Sequence, residues 1–313
     1  MAEKTFVKEH DELYREAKVS NDHATVTSHY YSVMSTVIDE YFNGNFHFVP
    51  PNRAGLKLDE ALSDLHHRIG ECLELSEGKT CIDIGCGIGG VINDLEGTGA
   101  EITGITIAPN EVEIGNTNFQ KSGIYPRCQL VEGDCHKMPF PDASKDTAYA
   151  IYALKYFVNL TPILNEIARV LKPGGRFVIY DLVKTNKYDE TNEEHRSIIE
   201  GFEYACGMPS IHYRDEMVEV AKNAGLKLVE SVDLSEETGF PYYYCFTSSP
   251  TFMWLAQSPV IKGLIKVAQA LHILPQGFHK FNETFLSGTV LKIVEGGKRG
   301  ILAGSEILVF EKV

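Results

Sequence analysis

The sequence predicts an α/β fold: a doubly wound, mostly parallel, seven-stranded sheet carrying helical and aromatic insertions. Three observations predict it. Between residues 80 and 233, short apolar runs alternate with helical patterns, which is the signature of parallel strands joined by right-handed crossovers. A glycine cluster, Gly85, Gly87, Gly89 and Gly90, directly follows the first apolar run. Open α/β sheets place ligands at such strand-to-helix turns. The chain then closes on SEILVFEKV, residues 305–313, a further apolar strand.

The elements follow in order. HYYSVMSTVIDEY (29–41) has helical spacing, and FNGNFHFVPP (42–51) breaks it with glycine, asparagine and two prolines. DEALSDLHHRIGECLE (59–74) repeats apolar residues at helical spacing. His66 and His67 within it are adjacent, so they face different sides of that helix and read as surface residues rather than a metal pair. TCIDIG, AEITGITIA, CQLVEG and DTAYAIYAL are the first four strands. PNEVEIGNTNFQKSG is a helix opening with proline in its first turn. TPILNEIARVL is a helix with Thr161 as the expected cap. KPGG is a tight turn into RFVIYDLV, the fifth strand. Residues 185–211 read as a looser helical segment. RDEMVEVAKNAG is a helix with a glycine stop, LKLVESVDLS a strand, and residues 236–290 a long aromatic stretch. One α/β core is therefore expected over residues 59–313. Covering material is expected at 1–58 and in insertions near 185–212 and 236–303.

Composition narrows the function. The 313 residues carry a net charge of −14, which repels nucleic acid and anionic surfaces in general. No run approaches the ~18 apolar residues of a spanning helix, and no signal peptide is evident. Seven cysteines, with no C-x-x-C pair, fit reduced thiols in a cytoplasmic protein and argue against a zinc site.

The glycine turn chooses the ligand. No lysine follows it, which excludes a triphosphate loop. Gly85, Gly87 and Gly90 fit G-x-G-x-x-G, yet the second strand ends in Thr106 and Ile107 without the acid that a nicotinamide ribose requires. Asp83 instead sits inside the end of the first strand. Asp134 follows the third strand in EGDCHKMPFPD, where a carboxylate can accept from an adenine amino group. Together with LKPGGRF, this order points to S-adenosylmethionine and a Rossmann-like class I methyltransferase. Gly85, Cys86, Gly87 and Gly89 would shape the turn around the methionine portion, and Asp83 would orient its amine. Thr106 and Glu111 would meet the ribose. Asp134 and Cys135 would border the adenine. Ala150 and Ile151 would lie beneath the sulfonium.

With these residues in place, the chain resembles the sterol C-methyltransferases from about residue 29 to its end. The resemblance rests on CIDIGCGIGG, NGNFHFVPP, LPQGFHKF and GGKRGIL, and most specifically on the run T-x-x-Y-D-x-x-N-x-x-H of Thr185, Tyr188, Asp189, Asn192 and His195. Members acting on carbon 24 of the side chain carry an acid where this chain has Phe42. In their Y-A-I-E-A-T-C-H-A they carry an acid and a histidine where this chain has Tyr152 and Tyr156. They have Y-E-W where this chain has Tyr180-Asp181-Leu182. Alkylating an alkene makes a carbocation that needs nearby carboxylates. Their loss makes the pattern more similar to the nematode sterol 4-methyltransferase type, which implies carbon 4 of a 3-keto sterol activated as an enolate. Side-chain methylation, a small-molecule methyltransferase and a non-catalytic lipid-binding protein remain as alternatives.

An enolate route needs a base and an oxyanion donor. His195, Asp181, Glu203 and His47 are the candidate bases. Tyr31, Tyr152 and Tyr156 are candidate donors, with Phe46 lining the acceptor site. The charge-free run from Gly239 to Ile261 is the expected greasy wall, with transient contact at a membrane surface when a sterol loads. A cytoplasmic protein is expected, peripheral to the endoplasmic reticulum membrane and able to form homo-oligomers.

Overall fold

The computed structural model describes residues 2–42, 44–271, 273, 279 and 282–313. In LPQGFHKF, all residues but His279 lie outside the described residues.

Two helices open the chain, α1 (Ala2–Ser20) and α2 (Ala24–Phe42). α3 (Leu58–Cys72) precedes β1 (Thr80–Ile84), α4 (Gly90–Leu95), β2 (Glu101–Thr106), α5 (Pro109–Ser122), β3 (Cys128–Glu132) and β4 (Lys145–Ile151). Next come α6 (Leu160–Val170), β5 (Leu171–Tyr180), the short β6 (Val183–Lys184), α7 (Glu193–Cys206), α8 (Arg214–Asn223) and β7 (Leu226–Asp233). The aromatic stretch folds as α9 (Leu234–Thr238), α10 (Tyr244–Thr247), α11 (Pro250–Gln257) and α12 (Pro259–Ala270). The last elements are α13 (Ser287–Lys298), β8 (Leu302–Ala303) and β9 (Glu306–Lys312).

Seven strands form one sheet in the order β3-β2-β1-β4-β5-β9-β7, while β6 and β8 pair separately. The first five run parallel, and β9 is antiparallel to both its neighbours. Strand order therefore reverses between β1 and β4, and the crevice beyond their carboxyl ends is where such sheets bind ligands.

Period-two alternation gives the sheet two greasy faces. Ile82, Ile84, Ala148, Ala150, Phe177 and Ile179 face one way, onto α6 and α8. Cys81, Tyr149, Ile151, Val178 and Tyr180 face the other way, with Leu65, Ile69, Ile92 and Phe119. A third cluster caps the carboxyl ends of the strands: Phe6, Tyr30, Met34, Phe48, Phe202, Phe285 and Ile293. α1 adds Phe6, Val7, His10 and Ala17 as its buried stripe. Two of its contacts are aromatic or imidazole rather than aliphatic, which is why an aliphatic periodicity scan passes over it.

Three sequence expectations need correction. α6 is capped by Asn159, whose side chain accepts from the Thr161 N–H at 3.0 Å, and not by Thr161. His66 is fully buried and bonds Asp94 at 2.6 Å, whereas His67 is exposed. The carboxylate makes the buried position favourable, since a buried polar ring needs a partner. Residues 185–192 form a turn rather than a helix, with helix present over Glu193–Cys206.

Candidate active site

The turn after β1 is built on backbone conformations that side chains avoid. Gly85 has φ 69°, and a Cβ there would lie 2.7 Å from the Ala153 Cβ, so the turn closes against the end of β4. Gly87 has φ 52°, but a Cβ there would meet nothing within 4 Å. Its surface is open floor. Glycine is required for conformation at both, and at Gly87 the bare backbone is left for a ligand to approach.

Two cavities share this floor. The outer one, about 720 Å³, is lined by Gly85, Gly87, Thr106, Glu111, Asp134, Cys135 and Tyr152, and by residues 21–28 of the cap. The Glu111 carboxylate is buried and accepts from Thr106 Oγ1 at 2.6 Å and from Ser35 Oγ at 2.9 Å. Burial raises its pKa. α2 thus reaches α5 through one carboxylate, which ties the cap to the sheet. Asp134 is exposed at the rim and accepts from the His136 N–H at 2.8 Å. Burial pushes its carboxyl up, but the bonds from the His136 backbone N–H and ring together outweigh burial and hold the pKa below the usual value.

The inner cavity, about 130 Å³, lies beneath the cap. Its walls include Tyr31, Phe46, His47, Asp83, Cys86, Ile151, Tyr152, Lys155 and Tyr156. Asp83 stands opposite Tyr149 in the β1–β4 register and accepts from its hydroxyl at 3.0 Å. Burial pushes the Asp83 carboxyl up to about 7, with the Tyr149 bond acting against it. An uncompensated carboxylate in this position favours an arriving cation.

His47 has an Nε2 that is buried and without a hydrogen-bond partner among the described residues. Burial, helped by neighbouring His66 and Lys155, lowers its pKa well below the usual histidine value, so the ring is neutral. Tyr31 and Tyr156 share a 2.8 Å hydroxyl–hydroxyl bond and line both cavities. Tyr152 takes the left-handed conformation, φ 53°, and lines both cavities as well. Such backbone strain in a non-glycine residue clusters at functional sites. Its hydroxyl, however, donates to the Gly304 carbonyl at 3.0 Å, away from the chamber.

Lys155 was not singled out by any sequence pattern. It is buried, lies 4.5 Å from the Tyr152 ring centre and 4.9 Å from that of Tyr156, and pairs with Asp181 at 3.4 Å. Burial lowers its pKa, against the pull of Asp181. The signal that could have found it is its place between two tyrosines, Tyr152 and Tyr156, just past β4, in YALKYF.

The remaining sequence candidates lie elsewhere. Asp181 is behind Lys155 and accepts the Lys155 and Leu182 N–H groups at 3.1 and 2.8 Å. Glu203 is buried on α7 and accepts the Ile211 N–H at 2.9 Å, clasping the segment after the helix. Its neighbours Phe202 and Cys206, not Glu203 itself, face the inner cavity. His195 is partly exposed, and its Nδ1 accepts the Asp189 N–H at 3.2 Å. The whole T-x-x-Y-D-x-x-N-x-x-H run is a turn-and-cap device: the Asn192 side chain caps α7, and Thr185 Oγ1 donates to the Gly300 carbonyl at 2.6 Å. Ala150 is buried on the α6 side of the sheet, because it alternates with Tyr149 and Ile151. Gly89 packs on Phe119, where a Cβ would come within 2.5 Å. Among the described residues, no cluster of three or more metal-ligating side chains occurs, and no helix is long and apolar enough to cross a membrane.

Comparison with known proteins agrees with this architecture. A methyltransferase-domain family model matches residues 82–179. The sterol 4-C-methyltransferase strm-1 of Caenorhabditis elegans is 58% identical over 98% of this chain and 92% of its own length. The sterol 24-C-methyltransferase of Yarrowia lipolytica is 30% identical over 93% of this chain and 80% of its own. Among solved structures, the geranyl diphosphate C-methyltransferase of Streptomyces coelicolor superposes with a TM-score of 0.69 at 16% identity, covering 93% of this chain and 98% of its own. At that identity the likeness concerns the fold alone.

Proposed function

Because the chain belongs to the sterol C-methyltransferase family, we propose that it methylates ring carbon 4 of a 3-keto sterol, with His47 removing the carbon-bound proton. The observation that carries this reading is the unpartnered, neutral His47 Nε2 in a chamber whose floor also serves the outer cavity.

The donor is S-adenosylmethionine, and the residues present suit it. The open backbone at Gly87, the buried carboxylates of Asp83 and Glu111 and the rim carboxylate of Asp134 match an amine, ribose hydroxyls and an adenine amino group in turn. When bound, it supplies an electrophilic methyl group on a positively charged sulfur. Asp83 balances the ammonium end. Glu111 accepts from the ribose, with Thr106 holding its second oxygen. Cys135 closes the floor.

On the acceptor side, His47 takes the proton from carbon 4. The Tyr31–Tyr156 hydroxyl pair donates to the developing enolate oxygen. Lys155, held by Asp181 behind it, adds positive charge on the same side. Phe46 and Phe48 exclude water and fix the angle of approach. Two features favour an enolate over alkene alkylation. The only carboxylates among the described lining residues of the inner chamber are Asp83 and Glu111. Both accept protein hydroxyls and both are assigned to the donor, Asp83 to its ammonium and Glu111 to its ribose, so neither is left to face a side-chain carbocation.

The chamber is smaller than the ~300 Å³ of ordinary ligand pockets, so four fused rings enter only when its walls, Phe46 and Phe48 among them, give way. That volume favours one second reading, a smaller acceptor. The purified chain, incubated with labelled donor, is offered 3-keto sterols, 3-hydroxy sterols, side-chain alkenes and small amines. Transfer to carbon 4 of the 3-keto sterol is expected. Transfer to the side chain, or to amines alone, rejects the assignment.

A further inference from the structure

We propose that the outer face of α12, with Trp254 of α11 beside it, docks on the surface of an anionic lipid bilayer. Docking at this face does not depend on which carbon is methylated, and its test reads lipid binding rather than turnover.

Val260, Leu264, Val267 and Leu271 recur at i, i+4, i+7 and i+11, so they form one stripe along the helix. Each of these side chains, and Trp254, is between 55 and 66% exposed. Single exposed apolar residues are ordinary, but a continuous apolar stripe marks an interaction surface. The other side of α12 is partly covered, with Ile261, Ile265 and Ala268 half-buried. Lys262 pairs with Glu283 at 3.3 Å, and His279 reaches the same carboxylate at 3.1 Å. The Ser258 side chain caps the first turn. The helix is therefore held with its apolar stripe outward.

Charge selects the partner. The chain has 43 carboxylates in 313 residues, so about six would fall in residues 238–282 at average spacing; none does. The charged residues there are Lys262, Lys266 and Lys280, besides His272 and His279. Lys266 is exposed on α12 and forms no ion pair among the described residues. Within a chain of net charge −14 this is the stretch that an anionic surface would not repel. A helix lying in the interface with apolar side chains inward and lysine at its flank is the ordinary geometry of such binding. A second copy of the chain fits less well. A three-turn helix about 18 Å long and ~10 Å wide offers about 200 Å², far below the ~800 Å² per partner of a stable dimer. α10, the element before α11, reaches the chamber wall: Phe246 packs on Phe48 with ring centres 4.7 Å apart.

The test uses the full chain and sterol-free vesicles, so that occupancy of the acceptor chamber does not contribute. Trp254 is the single tryptophan, and its emission reports the face directly. With phosphatidylcholine vesicles containing about 30 mol% phosphatidylserine, co-sedimentation and a blue shift of emission are expected, both weakening as salt rises. Leu264→Glu with Val267→Glu should reduce vesicle binding at least ~10-fold, and Lys266→Glu about 5-fold or more. Both sites are exposed, so melting temperatures should stay at the wild-type value, and donor binding serves as a second check on folding. An unshifted Trp254 with no sedimentation at any phosphatidylserine content overturns the proposal. So does undiminished binding by the double variant. Sedimentation velocity supplies the remaining outcome: a wild-type dimer made monomeric by the double variant, without vesicle binding, assigns the face to self-association instead.

Discussion

Replacing Asp83 with asparagine should make the unliganded protein more stable and unable to hold its donor. The side chain is 2% exposed, faces Tyr149, and has its carboxyl raised to about 7. A carboxyl moved from its ordinary value near 4 to about 7 corresponds to about 4 kcal/mol of preference for the neutral form in the folded state. Between about pH 4 and 7 the folded chain keeps a proton that the unfolded chain has released. This contribution to stability is therefore fully present below about pH 4, falls as pH rises through that window, and is gone above about 7. Asparagine is neutral throughout. Its carbonyl still accepts from the Tyr149 hydroxyl, while its amide hydrogens lack an acceptor, so about 1–3 kcal/mol of the penalty should be recovered at pH 8. For a chain of this size that raises Tm by roughly 2–6 °C. The gain should shrink as pH falls toward 4. Adding S-adenosylhomocysteine reverses the order: the wild type gains stability by mass action, and the variant loses affinity by about 2–4 kcal/mol, 30- to 1,000-fold. Differential scanning fluorimetry across pH 4–8, with and without ligand, measures all of this. An Asp83→Asn protein that melts no higher than wild type at pH 8, or that is stabilised equally by the ligand, refutes the reasoning.

Three further outcomes are expected. His47→Gln should lower kcat about 10²–10⁴-fold with donor affinity unchanged. Because burial depresses its pKa, wild-type kcat should not fall on the acid side until well below pH 6.5; a loss of donor binding in the variant, or an acid limb at 6.5 or above, argues against His47 as base. Gly85→Ala places a methyl group 2.7 Å from Ala153 at a positive φ, so a loss of about 1–3 kcal/mol in chemical denaturation is expected together with weaker donor binding. Asn192→Ala removes the α7 cap and should destabilise by about 1 kcal/mol while leaving the donor Kd, measured calorimetrically, unchanged. A large change in Kd would mean that the turn-and-cap run reaches the site after all.

Much of the molecule is legible without coordinates. The seven strands and their alternation with helices follow from periodicity, because a strand buried on both faces must be apolar almost throughout. Only Gly can hold the Gly85 turn against Ala153, so the turn is visible as a glycine cluster. α1 and the β6–β8 pair escape, the first because Phe6 and His10 share its stripe with only two aliphatic residues, Val7 and Ala17, among the described residues, the second because two residues are too short to show a period. Among the site candidates, Thr106 and Glu111, both expected at a ribose, stand within hydrogen-bond reach of each other on the wall of the outer cavity. The fate of His66, buried against Asp94 rather than exposed beside His67, depends on a partner 28 residues away.

The sequence by itself determined the fold class, the strand-end turn and the acidic residues around it, since these depend on local conformation and on spacing along single elements. Only the tertiary structure decided which polar groups face the chamber. Tyr152 spends its hydroxyl on Gly304, and Lys155 is turned inward by Asp181, while His195 is engaged by its own turn and His47 is left with an open nitrogen. For Tyr152 and Lys155 the partner comes from a distant part of the chain, for His195 from its own turn, and for His47 the packing brings none. A buried polar atom takes its chemical role from whether such a partner arrives.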